Sequence, residues 1–451
     1  MEVKMEVKQD NRYVLSIFHS MAIKKTTLLF VLLTAVFPAA FSQNTPHLFD
    51  FVENGKVGFM DSTGRTIIAP RFDATRGFEQ GRAGVLLDNK WGFIDTKGNI
   101  VVQPQFDGVA DYQDSMALVW NDIWDSDESE EAIYGYVDYQ GRIVRKPQFH
   151  MAFDFYEGLA AVNVGNYDNP RWGFIDRTGR MAIEARYSEY GRFCQGLASV
   201  KDQYGKTGFI DRTGRMVIPP QYDGAGYFCH GLALVRIGSD TSARYGFVDT
   251  TGHYVVQPKY GQAFNFDPKG FAYVKTAEFL HLKAYRHPVD AGKRGIIDTQ
   301  GREVVPAIFE SASMPSEGLS AVKVGQKWGY VNLDRKYVVD PQYQTAGDFS
   351  EGLACVSLDG KYGYIDRSGR IVIPLQFYKA HLFSEGLAAV NVGDFDNHRF
   401  GYIDHSGHFV IEPRFSQAFH FHHGLALVRW PGHEGYIDRS GRIVRQWPSE
   451  L

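Results

Sequence analysis

Short apolar and aromatic runs alternate with polar turns at near-regular spacing along the chain. Gly208 to Ala233 shows the pattern. Gly208-Phe209-Ile210-Asp211 meets a turn at Arg212-Thr213-Gly214, and Arg215 to Ile218 forms a second run that ends at Pro219-Pro220. A loop then carries Tyr222, Asp223 and Phe228 to Gly231-Leu232-Ala233, which open a third run. Arg215-Met216-Val217-Ile218 and Arg370-Ile371-Val372-Ile373 alternate with a period of two and are rich in β-branched side chains, as strands are. Each unit therefore reads as three antiparallel strands.

The unit repeats. Its opening glycine recurs at 58, 92, 135, 173, 208, 246, 295, 329, 363, 401 and 435, most often 34 residues apart. An Asp-x-x-Gly turn follows at Asp61-Gly64, Asp95-Gly98, Asp176-Gly179, Asp211-Gly214, Asp366-Gly369 and Asp404-Gly407 among others. The aspartate can accept amides across the turn and the glycine can take positive φ, which suits a type I turn with a G1 bulge. A side chain repeated in this way is structural rather than catalytic. Proline is expected to end the second strand, as at Pro70, Pro104 and Pro413, with an aromatic two residues on. In the eighth unit Asn332 and Arg335 replace the turn Asp and Gly, which predicts a different turn. The eleventh unit lacks a third strand, as a cap would.

Units this short cannot bury both faces alone, so neighbours must stack. First-strand aromatics such as Phe93, Phe174, Tyr330, Tyr364 and Tyr402 are expected to pack on the next unit's ring. The expected fold is all-β: a tandem array of about eleven three-stranded antiparallel units, elongated or superhelical. Eleven exceeds the usual four to eight blades of a propeller. The alternative is two propeller-like halves, 43–270 and 295–451, divided by an insertion at 271–294.

Composition narrows the picture. A formal net charge of −4 gives no basic footprint for nucleic acid. Residues 1–42 read as an upstream extension plus a signal peptide: Lys24-Lys25, an apolar run from Leu28 to Val36, then Ala40-Phe41-Ser42 before a cut. Export to the periplasm or outside the cell follows, with no integral membrane segment left after cleavage. Cys194, Cys229 and Cys355 are too few for a disulfide scaffold, although Cys194 and Cys229 share a phase in successive units and could bond.

Trp91-Gly92, Trp172-Gly173 and Trp328-Gly329, each followed by an aromatic residue and Ile or Val, resemble the opening of the WG-repeat family, also called KWG repeats. With the Pro-x-aromatic and Gly-Leu-Ala elements the resemblance covers roughly residues 54–447. It implies an all-β bacterial repeat protein, often exported, and supplies no catalytic residues.

Candidate chemistry is sparse. No nucleophile elbow, Walker loop or dinucleotide fingerprint is present, and no cofactor is expected. The acidic stretch 121–132 could hold a cation but matches no calcium loop. His405, His408, His420, His422 and His423 are the best metal candidates, set against exposed histidines in a loop; no metal is assigned. Leu159 to Asn169 returns as Leu387 to Asn397, an echo of block duplication. The expected function is a non-catalytic binding or scaffold protein for a glycan or a peptide or protein partner. The alternatives are a cell-surface polymer hydrolase with its site in an insertion loop, and a structural envelope protein. Oligomeric state is open.

Overall fold

The computed structural model describes residues 47–449 apart from 125–129, 167–168, 240–241, 281–288 and 394–396. The expected signal peptide lies outside the described residues, as does the centre of the acidic stretch. Among the described residues no helix is long and apolar enough to cross a membrane.

Eleven antiparallel sheets follow one another in chain order. They are blades, spanning residues 49–72, 74–106, 108–149, 151–187, 189–222, 224–260, 262–309, 311–343, 345–377, 379–415 and 417–448. The first has three described strands and the other ten have four. An extra two-stranded hairpin, Phe279–Leu280 with Val289–Asp290, projects from blade 7.

Blade 5 shows the plan: Glu189–Tyr190, Leu197–Lys201, Thr207–Asp211 and Met216–Tyr222, each paired with the next. The three-stranded unit expected from the sequence is thus corrected. The strand opened by Gly-Leu-Ala pairs with the strand that follows it, Leu232 opposite Asp249, and with Gly224–Cys229 just before it, not with Thr207–Asp211 or Met216–Tyr222. A sequence unit straddles two blades, and the first strand was missed: in most blades two residues carry no periodicity, and in blades 2, 6 and 9 a bulge interrupts its six.

Proline does not end its strand either. The fourth strand of blade 5 runs through Pro219 and Pro220 to Tyr222. It is a sheet edge, where a missing donor is tolerated. Thr207 pairs with Tyr222 and Phe209 with Ile218, so Gly208 alone faces three residues of the partner strand. A Cβ on Gly208 would stand 2.5 Å from the Ile218 carbonyl oxygen and 2.8 Å from Pro220 N. The recurrent glycine exists for this close approach.

Ring pairs join the blades. The third-strand aromatic of each blade meets a first-strand aromatic of the next: Phe59–Phe78 at 4.8 Å, Tyr136–Phe155 at 5.1 Å, Phe209–Phe228 at 4.9 Å, Tyr330–Phe349 at 5.0 Å. From blade 7 to blade 8 an aliphatic pair, Ile296 and Met314, stands in. Around each pair lies one apolar cluster drawn from two blades, such as Phe209, Ile218 and Tyr222 with Phe228, Ala233 and Val235.

The last such cluster overturns the elongated array. Leu425, Tyr436, Val444 and Trp447 of blade 11 pack on Phe49, Phe51 and Met60 of blade 1. Tyr436 and Phe49 sit 5.3 Å apart, Arg445 pairs with Glu53 at 3.0 Å, and the Arg445 guanidinium lies 4.1 Å from the Phe51 ring centre. The protein is an eleven-bladed β-propeller closed about a single axis. It is neither superhelical nor divided into two halves, since blades 6, 7 and 8 are joined by the same continuous packing. Blade 11 has all four strands and is no cap. Small alanines such as Ala198, Ala233 and Ala354 are fully buried in the packing between blades.

Candidate functional site

Antiparallel pairing sends successive connections to opposite ends of a blade. The first-to-second and third-to-fourth turns share one face of the ring; the second-to-third hairpins and blade crossings share the other. The insertions near 125 and 281 both interrupt second-to-third hairpins and fall on that second face.

The turn residues singled out from the sequence lie on the first face. In blade 5 the Gly214 amide donates to the Asp211 carbonyl at 2.9 Å. Asp211 Oδ1 accepts from the Thr213 amide at 2.9 Å, its hydroxyl at 2.6 Å and the Arg215 amide at 3.1 Å. Asp61, Asp95, Asp176, Asp366 and Asp404 accept the equivalent amides. Gly64, Gly98, Gly179, Gly214, Gly369 and Gly407 have φ between +78° and +87°. The different turn expected for the eighth unit is corrected: Asn332 Oδ1 accepts the same amides at 3.1 and 3.0 Å, and Arg335 takes φ +66°. Asparagine keeps the needed acceptor, so Arg335 is carried into the left-handed region.

The family-motif tryptophans differ in setting. Trp91 and Trp328 lie partly buried in inter-blade clusters. Trp172 is buried beside Tyr190 at 4.0 Å and Phe153 at 5.7 Å, and those two rings are 4.7 Å apart. This aromatic group borders a cavity of about 360 Å³ between blades 4 and 5. Asp154, Tyr156, Tyr190 and Arg192 line it.

First-strand edges converge around the ring, and their side chains interact from blade to blade. Arg76 pairs with Asp111 at 3.0 Å. The Arg192 guanidinium carbon lies 4.8 Å from the Tyr156 ring centre and 3.8 Å from that of Tyr227. Arg192 Nε is buried with no hydrogen-bond partner. Burial, and next the charge of Asp111, push the Asp154 carboxyl up to about 6. The site thus offers ring faces for stacking, one unsatisfied donor and one carboxyl that changes charge near neutrality.

Sequence reading found Trp172 and missed Asp154, Tyr190 and Arg192. Asp154 and Arg192 occupy a position whose residue type changes from unit to unit: Asp111, Asp154, Arg192, Tyr227 and Asn265 each directly precede a buried aromatic. Variation at one fixed phase was the available signal.

A larger cleft, about 810 Å³, opens on the turn face, lined by His230 of blade 6, Lys269 and Arg302 of blade 7 and Arg335 of blade 8. Two of its charged groups are engaged: Arg302 with Asp298 at 2.7 Å, and Glu303 with the Tyr260 hydroxyl at 3.0 Å. We therefore place the candidate site in the smaller cavity, where a buried donor lacks a partner.

The proposed histidine group divides. His405 pairs with Glu351 at 3.0 Å, and His408 Nδ1 lies 2.7 Å from the Ser406 hydroxyl. His422 and His423 do not point apart as strand neighbours would; they sit in a turn with ring centres 4.1 Å apart. Cys194, Cys229 and Cys355 are free thiols. The echoed segments share one device: Asn163 Oδ1 accepts from the Gly165 and Arg171 amides, and Asn391 Oδ1 from those of Gly393 and Arg399.

No curated protein matches the chain. Among solved structures it is similar to AztD from Citrobacter koseri, at 12% identity over 82% of this chain and 92% of that one, with a TM-score of 0.29. It is similar to Pyrococcus horikoshii acylaminoacyl peptidase at 12% identity over 61% of this chain and 54% of that one, TM-score 0.31. For the tricorn protease the figures are 11%, 81% and 38%, TM-score 0.23, so the chain spans well under half of that protease. The family profile described as "WG containing repeat" matches residues 58–91, 91–119, 134–167, 172–206, 208–239, 245–277, 295–328, 328–362, 362–394 and 400–429. With most of its length matched unit by unit, the chain belongs to the WG-repeat family.

Proposed function

We propose that this propeller is an exported, non-catalytic binding protein whose ligand docks between blades 4 and 5. The ligand has a flat apolar face and hydroxyl or amide edges, as a sugar residue of a glycan or a peptide segment does. The observation that carries this reading is the buried, unpartnered Nε of Arg192, held between Tyr156 and Tyr227 beside the cavity. An unmade buried donor costs about 1–3 kcal/mol, which a ligand acceptor would recover. Cavities of this volume fall in the range of small-molecule sites. Phe153 and Tyr190 supply the stacking faces. Export rests on the charged, apolar and small-residue order of residues 1–42.

The test is a glycan and peptide array followed by calorimetry with the best ligand. Saturable binding without turnover, weakened at least tenfold by Arg192→Ala and by Tyr190→Ala, is expected. Binding untouched by both substitutions overturns the site. Turnover that disappears with Asp154→Asn overturns the non-catalytic reading and favours a hydrolase.

A further inference from the structure

The turn face carries a belt of contacts between neighbouring blades, and its chemistry varies around the ring: Asp114 holds the contacting position in blade 3, Gln195 in blade 5 and His230 in blade 6. In blades 8, 9 and 10 the belt uses Glu and Ser. Glu317, Glu351 and Glu385, all at positive φ, accept the amides of Gly352, Gly386 and Gly424 in the following blade, at 3.1, 3.0 and 2.9 Å. Ser316, Ser350 and Ser384, one residue earlier, donate to the carbonyls of Phe349, Phe383 and Phe421, each at 2.8 Å. In blade 11 the same two positions are His422 and His423, the latter at φ +50°.

The facing position in blade 1 follows from register. Phe49 pairs with Met60, so Leu48 stands opposite the turn aspartate Asp61, where other blades place the leucine of Gly-Leu-Ala. His47 therefore occupies the place of the glycine that in blades 9, 10 and 11 receives the preceding blade's glutamate. At the closing step, three imidazoles replace the carboxylate, the hydroxyl and the glycine.

These imidazoles gather. The His47 ring lies 4.3 Å from His423, stacked, and 5.5 Å from His422; one ligand nitrogen from each lies within 4.8 Å of the others. We propose that His47, His422 and His423 form a transition-metal site, for zinc or a similar divalent ion, that fastens the first blade to the last. Zinc bound at about 2.0–2.1 Å to each nitrogen needs them closer by roughly an ångström. All three side chains are exposed and can rotate to close that gap. Glu385 faces His422 and holds the Gly424 amide through Oε2, so its other oxygen or a water would complete the tetrahedron.

The experiment uses the full chain without an affinity tag, titrated with zinc by calorimetry and with cobalt by visible absorption. One ion per chain, with the absorption of tetrahedral cobalt, is expected. His47→Ala and, separately, His423→Gln should each weaken binding at least a hundredfold while the metal-free melting midpoint stays put. His405→Ala with His408→Ala should leave binding unchanged. In the wild type, zinc at a hundredfold excess over its dissociation constant should raise the midpoint by roughly 3–4 °C, and a chelator should reverse it. Absence of saturable binding overturns the proposal. So does equal binding by both seam variants, or a stoichiometry of half an ion with paired chains, which would place the metal between two copies.

Discussion

The hydroxyl of Tyr364 in blade 9 donates to the carbonyl of His381 in blade 10, at 2.6 Å. Tyr136, Tyr330 and Tyr402 make the same bond to Phe153, Gly347 and Phe419 at 2.7 Å. At the equivalent positions Phe59, Phe93, Phe174, Phe209 and Phe247 keep the ring and forgo the bond. The ring contact is therefore the common element and the hydroxyl an addition. Tyr364→Phe should cost about 1–2 kcal/mol, because it leaves one carbonyl without its donor. Tyr364→Ala should cost about 3–5 kcal/mol, because it opens a cavity between two blades. Denaturant unfolding of the two variants, read as midpoint changes at constant slope, checks the ratio.

Glycine substitutions should divide by cause. A Cβ on Gly92 would lie 2.4 Å from the Val102 carbonyl oxygen and 2.7 Å from Pro104 N, both backbone atoms that cannot step aside. Gly92→Ala should destabilise by about 3 kcal/mol or more. Gly424 has φ +85° with nothing within 4 Å of a built Cβ. Gly424→Ala should cost only about 1 kcal/mol, the penalty of the left-handed region. Equal losses in thermal unfolding would mean that close approach is not what the repeated glycine serves.

What the sequence revealed depends on how local the cause was. Asp211 and Gly214 act within five residues, so their recurrence already stated the turn. Gly208 was visible as a position, but its reason lies across the sheet at Ile218 and Pro220, and no local pattern conveys that. Leu232 was taken for the end of a unit because sequence order cannot say with which neighbour a strand pairs. Closure rests on Phe49 meeting Tyr436 across nearly the whole chain, a contact that no single unit records. Trp172 was legible because it belongs to the repeated framework. Asp154 and Arg192 were not, because they sit where the copies differ and the eye follows where they agree.

Acid should attack the turns together. Hydrogen bonding from Ser368, with the amides of Ser368 and Arg370, holds the Asp366 carboxyl down at about 2. Asp61, Asp176, Asp249 and Asp404 are lowered for the same kind of reason. A carboxyl depressed in the fold contributes stability that is complete above its unfolded value near 3.9 and is lost as pH falls through its folded value. Unfolding should therefore steepen between about pH 4 and pH 2. Asp366→Asn keeps Oδ1 as an acceptor but cannot protonate in this range, so its stability should fall less steeply over the same interval. Parallel curves for wild type and variant, followed by circular dichroism, would show that the turns do not drive the acid transition.

Asp154 should behave in the opposite sense. Burial raises its carboxyl from 3.8 to about 6; Asp111 adds to the rise, and Arg76, which pairs with Asp111, opposes it. The folded state then holds a proton that the unfolded chain releases between pH 4 and 6. Its contribution is fully present below about pH 4, declines as pH rises toward 6, and is absent above. Asp154→Asn should match the wild type near pH 4 and exceed it by roughly 1–3 kcal/mol at pH 8, where the wild type must keep a buried anion. Ligand binding should carry the same signature. A carboxylate accepts hydroxyl donors that a carboxylic acid holds less well, so wild-type affinity for a hydroxylated ligand should fall as pH drops through 6. The asparagine variant should bind more weakly and show no inflection there. An inflection that persists in the variant would assign the titration to another group and remove Asp154 from the ligand's contacts.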